Sequence, residues 1–149
     1  MSNLNITLLE SPTELDIQQI FQVWEKDVKH VRDFLNENQF KMDQGLFARE
    51  FKASKVYVAR NDTNEIKGFI LLNKQRILGL YVLPKLQKQG IQEELAKHVL
   101  VNDEANMVLV EETDEPFYNF YSNLGFRPIE KSKVNEYGLL IPTIKMIRD

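Results

Sequence analysis

The sequence contains no cysteine among its 149 residues. A disulfide, a thiolate zinc site and a cysteine nucleophile are therefore excluded, and this composition is typical of a reducing compartment. No apolar stretch approaches the ~20 residues that a membrane span needs, and the opening MSNLNITLLESPTELD lacks the basic start and apolar run of a secretory signal. We expect a cytoplasmic protein with no membrane partner.

The sequence also lacks an excess of positive charge, since its formal net charge is -3. General attraction to nucleic acid is therefore not expected, and a polyanionic ligand would have to be held by local basic groups and backbone amides. The apolar share of 43% and the charged share of 28% are typical of a soluble globular protein. At this length we expect a single domain spanning residues 1–149.

The first part of the chain predicts one strand followed by helices. The strand is expected at Asn5 to Glu10, and the sequence SPTE then indicates a helix start, with Ser11 as cap, Pro12 at the first helical position and Glu14 completing a capping box. Apolar residues follow helical spacing as far as Leu35. A loop or break is expected between residues 36 and 45, before a further helical stretch, GLFAREFK.

The remainder predicts a mixed sheet. Three strands joined by short turns, and therefore antiparallel, are expected at KVYVARND, KGFILLN and QRILGLYVLP. A helix from Gln89 to Val101 and a fifth strand, NMVLVEE, follow as a right-handed βαβ unit with parallel strands. A short helix capped by Thr113 or Asp114 ends at Gly125, and a closing hairpin follows, in which Pro142 requires a bulge or an unpaired position. The expected fold class is α+β.

The segment LYVLPKLQKQGIQEEL contains a candidate anion site. A Lys/Gln-rich loop follows the strand, and Gly90 then begins a helix whose first N–H groups and positive dipole end favour a phosphate. Gly90 would let the anion approach the main chain without meeting a Cβ atom. Lys85 and Lys88 flank the turn as candidate phosphate contacts. The segment fits neither a Walker A motif nor a dinucleotide-binding fingerprint, and on this segment alone Gly90 is equally well explained as a turn residue.

Two motifs resemble those of the GNAT superfamily of N-acetyltransferases: V-x-P-x-x-Q-x-x-G-x-x-x-x-L from Val82 to Leu95, and FY-x-x-x-GF from Phe120 to Phe126. The resemblance covers essentially the whole chain in its order of elements. Its cofactor signature, Q/R-x-x-G-x-G/A, corresponds to Gln87 through Gln92, except that Gln92 replaces the final small residue.

The resemblance implies acetyl-CoA as co-substrate and no metal. The pyrophosphate would lie on the backbone amides of Gln87, Lys88, Gln89, Gly90, Ile91 and Gln92. The pantetheine arm would pair with the main chain of Leu80, Tyr81 and Val82, much as a peptide adds to a strand edge.

The resemblance also implies direct attack of an amine on the acetyl carbonyl. Tyr121 matches the position that donates a proton to the departing thiolate, and a phenol is protonated at neutral pH. Its alternative role is one more aromatic residue of a buried helix face. The N–H of Tyr81 or Val82 is the expected oxyanion donor. No base can be assigned, although Glu111, Glu112 and His30 are candidates.

The acceptor would be an amine of a small molecule or a peptide. Its site is expected between Thr13 and Lys52 and in the final hairpin, with apolar candidates (Trp24, Phe34, Phe40, Phe47) and acidic candidates (Asp27, Asp33, Glu37, Asp43). Most of the apolar residues are better explained as core positions, and the acidic residues as solvated positions. A catalytically weak acyl-CoA binding or sensing module remains the alternative function, because Gln92 departs from the motif and the fourth strand carries no carboxylate. The oligomeric state stays open, a homodimer included.

Overall fold

The computed structural model describes residues 4–31 and 37–149. Four α-helices are found in these residues: α1 (Glu14–Val31), α2 (Glu37–Lys52), α3 (Ile91–Asn102) and α4 (Glu115–Asn123). The strands are β1 (Asn5–Leu8), β2 (Lys55–Arg60), β3 (Ile66–Asn73), β4 (Arg76–Val82), β5 (Met107–Glu111), β6 (Arg127–Ser132) and β7 (Thr143–Ile147). A 3₁₀ helix, Pro84–Gln89, lies between β4 and α3.

The strands form one seven-stranded mixed sheet in the order β1-β2-β3-β4-β5-β7-β6. All neighbouring pairs are antiparallel except β4 and β5, which are parallel and joined through α3. The three consecutive antiparallel strands, the parallel βαβ unit and the closing hairpin predicted from the sequence are therefore confirmed. Pro142 lies just before β7, outside the paired residues.

The two faces of the sheet are covered by different helices. One buried cluster includes Ile20 and Trp24 of α1 and Phe47 of α2 packed against the sheet. The other includes Leu95 of α3 and Tyr121 of α4. Neighbouring residues of a strand point to opposite faces of the sheet, and helices cover both faces. Successive residues of the central strand β3 are therefore buried, and most of them are apolar.

Two predictions about the first helices were wrong. The cap of α1 is Thr13, not Ser11: the Thr13 hydroxyl accepts from Asp16 N–H at 3.1 Å, and the Asp16 carboxylate accepts from Thr13 N–H at 3.0 Å. Helix α2 begins at Glu37 rather than after residue 45. Gly45 lies on its exposed surface, where its weak helix propensity is tolerated. Asp33, Phe34 and Leu35 lie outside the described residues.

Strands β4 and β5 diverge soon after they meet. Only two register pairs join them, Arg76 with Met107 and Ile77 with Val108. The pairing of β4 with β3 shifts at the same level, between Leu71 and Leu72, so β4 bends there. A gap therefore opens between the second halves of β4 and β5.

The segment between β4 and α3 contains a 3₁₀ helix followed by Gly90. The stretch predicted to be a loop is the 3₁₀ helix, and it ends at Gly90 in the left-handed conformation, with φ +81°. Gly90 is also the residue before the first turn of α3. A β-carbon at Gly90 would meet no atom within 4 Å, so glycine is favoured here by backbone conformation rather than by crowding.

Candidate active site

A cleft lies where β4 and β5 diverge. Its cavity volume of about 310 Å³ is at the small end of the range for ligand sites, enough for part of a ligand the size of acetyl-CoA. Trp24 and Phe47 form part of its apolar wall. Six carboxylates line it: Asp27, Asp43, Glu50, Glu111, Asp114 and Glu136. Within residues 4–31 and 37–149, no lysine, arginine or histidine lines the cleft, so all of its charged lining residues are acidic.

The connection between β6 and β7 covers one side of the cleft. The Tyr137 hydroxyl donates to Glu50 Oε2 at 3.0 Å and so joins this connection to α2. Arg76 of β4 pairs with the neighbouring Glu136 at 2.7 Å. Burial raises the pKa of Glu50, although the Tyr137 hydrogen bond opposes the rise. The final hairpin and α2 thus meet at the cleft, and both belong to the regions expected to bind the acceptor.

Tyr121 lines the cleft, although only 3% of its surface is exposed. Its ring contacts Phe117, Phe120 and Phe126. Burial raises the pKa of the Tyr121 phenol above its ordinary value, and the charge of Asp114 raises it further. Tyr121 therefore belongs both to the buried face of α4 and to the wall of the cleft, and its phenol is protonated at neutral pH.

Helix α4 is oriented by an N-terminal cap. The Asp114 carboxylate accepts from Phe117 N–H at 3.2 Å, so Asp114 rather than Thr113 is the cap. The helix ends before Gly125, which has φ +97° as expected of a left-handed stop. These two residues mark the ends of the helix that carries Tyr121.

The backbone amides at the end of β4 point in alternating directions. Leu83 N–H donates to Lys67 O, on the side of β3. The register pairs Tyr81 with Phe69, so by alternation the Tyr81 amide also faces β3, whereas the amides of Leu80 and Val82 face the gap. Tyr81 is therefore turned away from the position that an oxyanion donor would need.

The Val82 amide is already bonded to a side chain. It donates to Asp27 Oδ2 at 3.0 Å, and Asp27 Oδ1 accepts from Gln87 Nε2 at 3.0 Å. Gln87 Nε2 also donates to Val82 O at 3.0 Å. The side chain of Gln87 thus points into the protein rather than toward a phosphate at the start of α3.

Asp27 has an unusual environment for a carboxylate. Only 6% of its surface is exposed, and burial raises its pKa from 3.8 to about 6 despite the hydrogen bonds from Val82 and Gln87. From the sequence alone, Asp27 is expected only to be one of several acidic residues that could attract an amine. Its position three residues after Trp24 and seven after Ile20, on the buried face of α1, was the signal that distinguishes it from a solvated residue.

The remaining predicted cofactor residues surround the start of α3. Lys88, Gln89 and Gly90 are exposed, Gln92 is half-buried, and Ile91 is buried beneath the helix. Glu94 N–H already donates to Gly90 O, so the N–H groups of residues 90–93 are the ones that precede the repeating helical bonds. The segment is accessible to a phosphate and presents no Cβ at Gly90, which fits the predicted cofactor.

The other candidates occupy different environments. Glu112 is exposed and pairs with Lys131 at 2.7 Å, whereas Glu111 lines the cleft. Glu37 pairs with Lys41 at the start of α2 and does not line the cleft. The His30 side chain is exposed at the end of α1. In the described parts of the chain, no group of three or more metal-ligating side chains is found, and no helix is long and apolar enough to cross a membrane.

A family model described as an acetyltransferase (GNAT) domain matches residues 25–147. This chain belongs to the GNAT acetyltransferase family. The predicted family and the prediction of an acetyltransferase enzyme are therefore confirmed.

Relatives support the same assignment at lower similarity. The chain is 26% identical over 131 residues to a peptidyl-lysine N-acetyltransferase, YjaB, of Salmonella typhimurium, covering 87% of this chain and 90% of the relative. The solution structure of apo YjaB from Escherichia coli matches with a TM-score of 0.81 at 22% identity, covering 97% and 96% of the two chains. A GNAT acetyltransferase from Elizabethkingia anophelis, solved with acetyl-CoA bound, matches with a TM-score of 0.66 at 17% identity, covering 100% and 99%. The last two likenesses show the fold.

Proposed function

We propose that this GNAT family member transfers an acetyl group from acetyl-CoA to a cationic primary amine of a small molecule or a peptide. Transfer occurs by direct attack in a ternary complex. The observation that carries the proposal is the cleft at the divergence of β4 and β5, lined by six carboxylates and by Tyr121. Membership of the family supports acetyl transfer as the reaction. The acidic residues that line the cleft support a cationic amine as the acceptor.

Acetyl-CoA would be held by two parts of one continuous segment. The backbone amides from Gln87 to Gln92 would receive the pyrophosphate, where the exposed start of α3 and the left-handed Gly90 leave room for it. The pantetheine arm would follow the edge of β4 at Leu80 to Val82, which the divergence from β5 leaves without a neighbouring strand. Acetyl-CoA bound to a structural neighbour of the same fold supports this choice of donor.

The Leu80 amide is the better candidate for the oxyanion donor. Alternation along β4 turns it into the gap, Leu80 lines the cleft, and Tyr81 faces β3. The Val82 amide also faces the gap but already donates to Asp27. We therefore assign stabilisation of the developing oxyanion to Leu80 N–H, in place of the Tyr81 or Val82 amide expected from the sequence.

The carboxylates of the cleft would attract the acceptor in its ammonium form. An alkylamine with a lysine-like pKa of ~10.4 is neutral in only about one molecule in a thousand at pH 7.4. Its excess proton must leave before the nitrogen lone pair can attack, and the cleft carboxylates are the nearby proton acceptors, Glu111 among them. The peptidyl-lysine acetyltransferase to which the chain is similar supports an acceptor of this charge.

Tyr121 would stabilise the departing thiolate of CoA. As the amine nitrogen bonds to the carbonyl carbon and the carbon–sulfur bond breaks, negative charge moves to sulfur. Burial keeps the phenol protonated, and its raised pKa makes complete proton transfer to sulfur unfavourable, because ordinary thiol pKa values are near 8.5. Tyr121 is therefore assigned as a hydrogen-bond donor to the thiolate.

Thiol release from acetyl-CoA in the presence of single amines tests the proposal. Cationic primary amines should raise the rate above the rate without acceptor, whereas tertiary amines of similar charge, which cannot be acetylated in this way, should not. A protein that binds acetyl-CoA in calorimetry but shows no amine-dependent thiol release would be the binding or sensing module instead. Failure to bind acetyl-CoA would reject both functions.

A further inference from the structure

Asp27 is a charged residue on a helix face that is otherwise buried and apolar. Trp24 and Ile20, one and two turns earlier on the same face, are 2% and 0% exposed, and Asp27 itself is 6% exposed. A carboxylate in such a place is costly to the fold unless it is well hydrogen-bonded. Strongly perturbed ionisable groups in clefts are frequently functional, so Asp27 requires an explanation beyond packing.

The hydrogen bonds of Asp27 join three separate parts of the chain. Each carboxylate oxygen accepts one bond at 3.0 Å, Oδ2 from Val82 N–H and Oδ1 from Gln87 Nε2. The third bond, from Gln87 Nε2 to Val82 O, closes the network. Val82 is the last residue of β4, and Gln87 lies in the 3₁₀ helix that leads to Gly90. Asp27 thereby ties α1 to the last residue of β4 and to the 3₁₀ helix that precedes Gly90.

We propose that Asp27 is a positioning residue of the acetyl-CoA site, which fixes the turn from Val82 to Gly90 through its bonds to Val82 and Gln87. The inference rests on the proposed function, since it concerns the segment assigned to the cofactor. Asp27 makes no contact with the cofactor in this role. It sets the direction in which β4 ends and the position from which the amides at the start of α3 meet the pyrophosphate.

The network also links the acceptor side of the cleft to the cofactor side. Asp27 lines the cleft from α1, and the turn that it holds belongs to the cofactor segment. Two other charged groups act on it: His30, on the same helix, favours the ionised form, and Asp114, the cap of α4, opposes it. Protonation of Asp27 would remove one acceptor from the network, so the turn would be held less firmly at low pH.

Calorimetric titration of acetyl-CoA into the wild-type protein and into Asp27→Asn tests the inference. At pH 7.5 we expect binding to weaken about tenfold or more in Asp27→Asn, because the amide presents an N–H donor to Gln87 Nε2, which is also a donor. The KM for acetyl-CoA should rise by a similar factor with a smaller change in kcat. Glu25→Gln is the matched control on the same helix, since Glu25 pairs with Lys29 and is not among the described residues that line the cleft, and it should bind as the wild type does.

Two further comparisons separate positioning from other roles. Gln87→Leu should weaken binding to a similar extent, and Asp27→Asn combined with Gln87→Leu should add little, because both changes break the same network. The affinity of the wild-type protein should fall more steeply between pH 7.5 and pH 5.5 than that of Asp27→Asn. Subtracting the two profiles removes the titration of the phosphates of the ligand, which is common to both proteins.

Three results would overturn the inference. Unchanged acetyl-CoA binding in Asp27→Asn would show that the network does not position the segment. Tighter binding would show that Asp27 competes with the cofactor for the Val82 amide. A fall in kcat with an unchanged KM would make Asp27 a group that acts on the reacting atoms. If the wild-type protein itself does not bind acetyl-CoA, the proposed function fails, which is a different result from any of these.

Discussion

Asp27 shows how a single side chain can act against the stability of the fold that contains it. Its carboxyl group has a pKa of about 6 in the folded protein, against an ordinary value of 3.8, and burial is the main cause. At neutral pH the protein therefore carries a buried charge that the unfolded chain would expose to water. A side chain retained at such a cost is better explained by function than by packing.

We expect Asp27→Asn to increase the free energy of unfolding relative to wild type, and the increase to grow as the pH rises. Because the folded pKa is raised, the protonated carboxyl contributes stability that is fully present below pH 3.8 and is lost as the pH rises through 6. This contribution is about 3 kcal/mol. Asparagine does not titrate, so the unfolding free energy of Asp27→Asn relative to wild type should increase by about that amount between pH 3.5 and pH 8. Urea unfolding at a series of pH values measures this difference.

The asparagine side chain of Asp27→Asn bonds in the same way at every pH, so it shifts the difference by a constant, and the pH-dependent part comes from the titration of Asp27 in the wild-type protein. A difference between the two proteins that stays constant across the range would contradict the raised pKa of Asp27.

Tyr121 is expected to affect turnover rather than binding. Tyr121→Phe keeps the ring that contacts Phe117, Phe120 and Phe126 but removes the donor to the thiolate, so kcat should fall about 100-fold with little change in the KM for acetyl-CoA. Tyr118→Phe is the matched control, since Tyr118 lies on the same helix but does not line the cleft. Steady-state kinetics that show a near-normal kcat for Tyr121→Phe would assign stabilisation of the departing thiolate to water.

Gln92 is the position at which the sequence departs from the cofactor signature. Its side chain is half-buried in the first turn of α3. Gln92→Ala restores a small residue without loss of helix propensity, and acetyl-CoA should then bind as tightly as before or more tightly in calorimetry. A clear loss of affinity would mean that the Gln92 side chain itself contacts the phosphates.

Two glycines are associated with helices in different ways: Gly45 lies within α2, and Gly90 immediately precedes α3. Gly90 has φ +81°, and a β-carbon added there would meet no neighbouring atom within 4 Å. Gly90→Ala should therefore cost about 1–2 kcal/mol through backbone conformation alone, and it should weaken acetyl-CoA binding. Gly45→Ala, in the exposed middle of α2, should instead stabilise the protein by about 0.5–1 kcal/mol. Thermal unfolding of both variants measures the contrast, and equal stabilities would contradict the left-handed conformation of Gly90.

The strands and the later helices could be predicted from the sequence because their signals are local. Alternating or continuous apolar residues, short polar turns, the Asp114 cap and Gly125 lie within the elements that they define. The first two helices were less accessible to such reasoning. Ser11 and Thr13 are both good caps, and each is followed three residues later by a carboxylate, so the local pattern did not distinguish them, and the structure forms the pair of Thr13 with Asp16. Gly45 looked like a helix boundary, although packing around Phe47 carries the helix through it.

The site as a whole depends on contacts that no local pattern contains. Asp27 is 55 residues from Val82 and 60 from Gln87, so neither hydrogen bond could be predicted from spacing. The six carboxylates of the cleft come from α1, α2, β5, the cap of α4 and the hairpin connection, and only the fold brings them together. The resemblance to the family indicated the cofactor segment, but the direction of each amide along β4 required the register with β3.

The charge of the molecule is distributed in a way that suits the proposed reaction. The chain carries a modest net charge of -3, yet the cleft is lined by carboxylates alone among its charged groups in the described residues. An attractive potential inside a cleft of low dielectric raises the local concentration of a cationic acceptor. The preference for cationic amines should therefore weaken as ionic strength increases.

The central claim is amine acetylation in the acidic cleft, and the initial rate of CoA thiol release with matched acceptors tests it most directly. The acceptors are pairs of primary amines of equal length, including lysine-containing peptides, that differ only in whether a second positive charge is present. We expect amine-dependent release, with a higher kcat/KM for the more cationic member of each pair. Acetyl-CoA binding without any amine-dependent release, or a preference for the less cationic member, would contradict the claim.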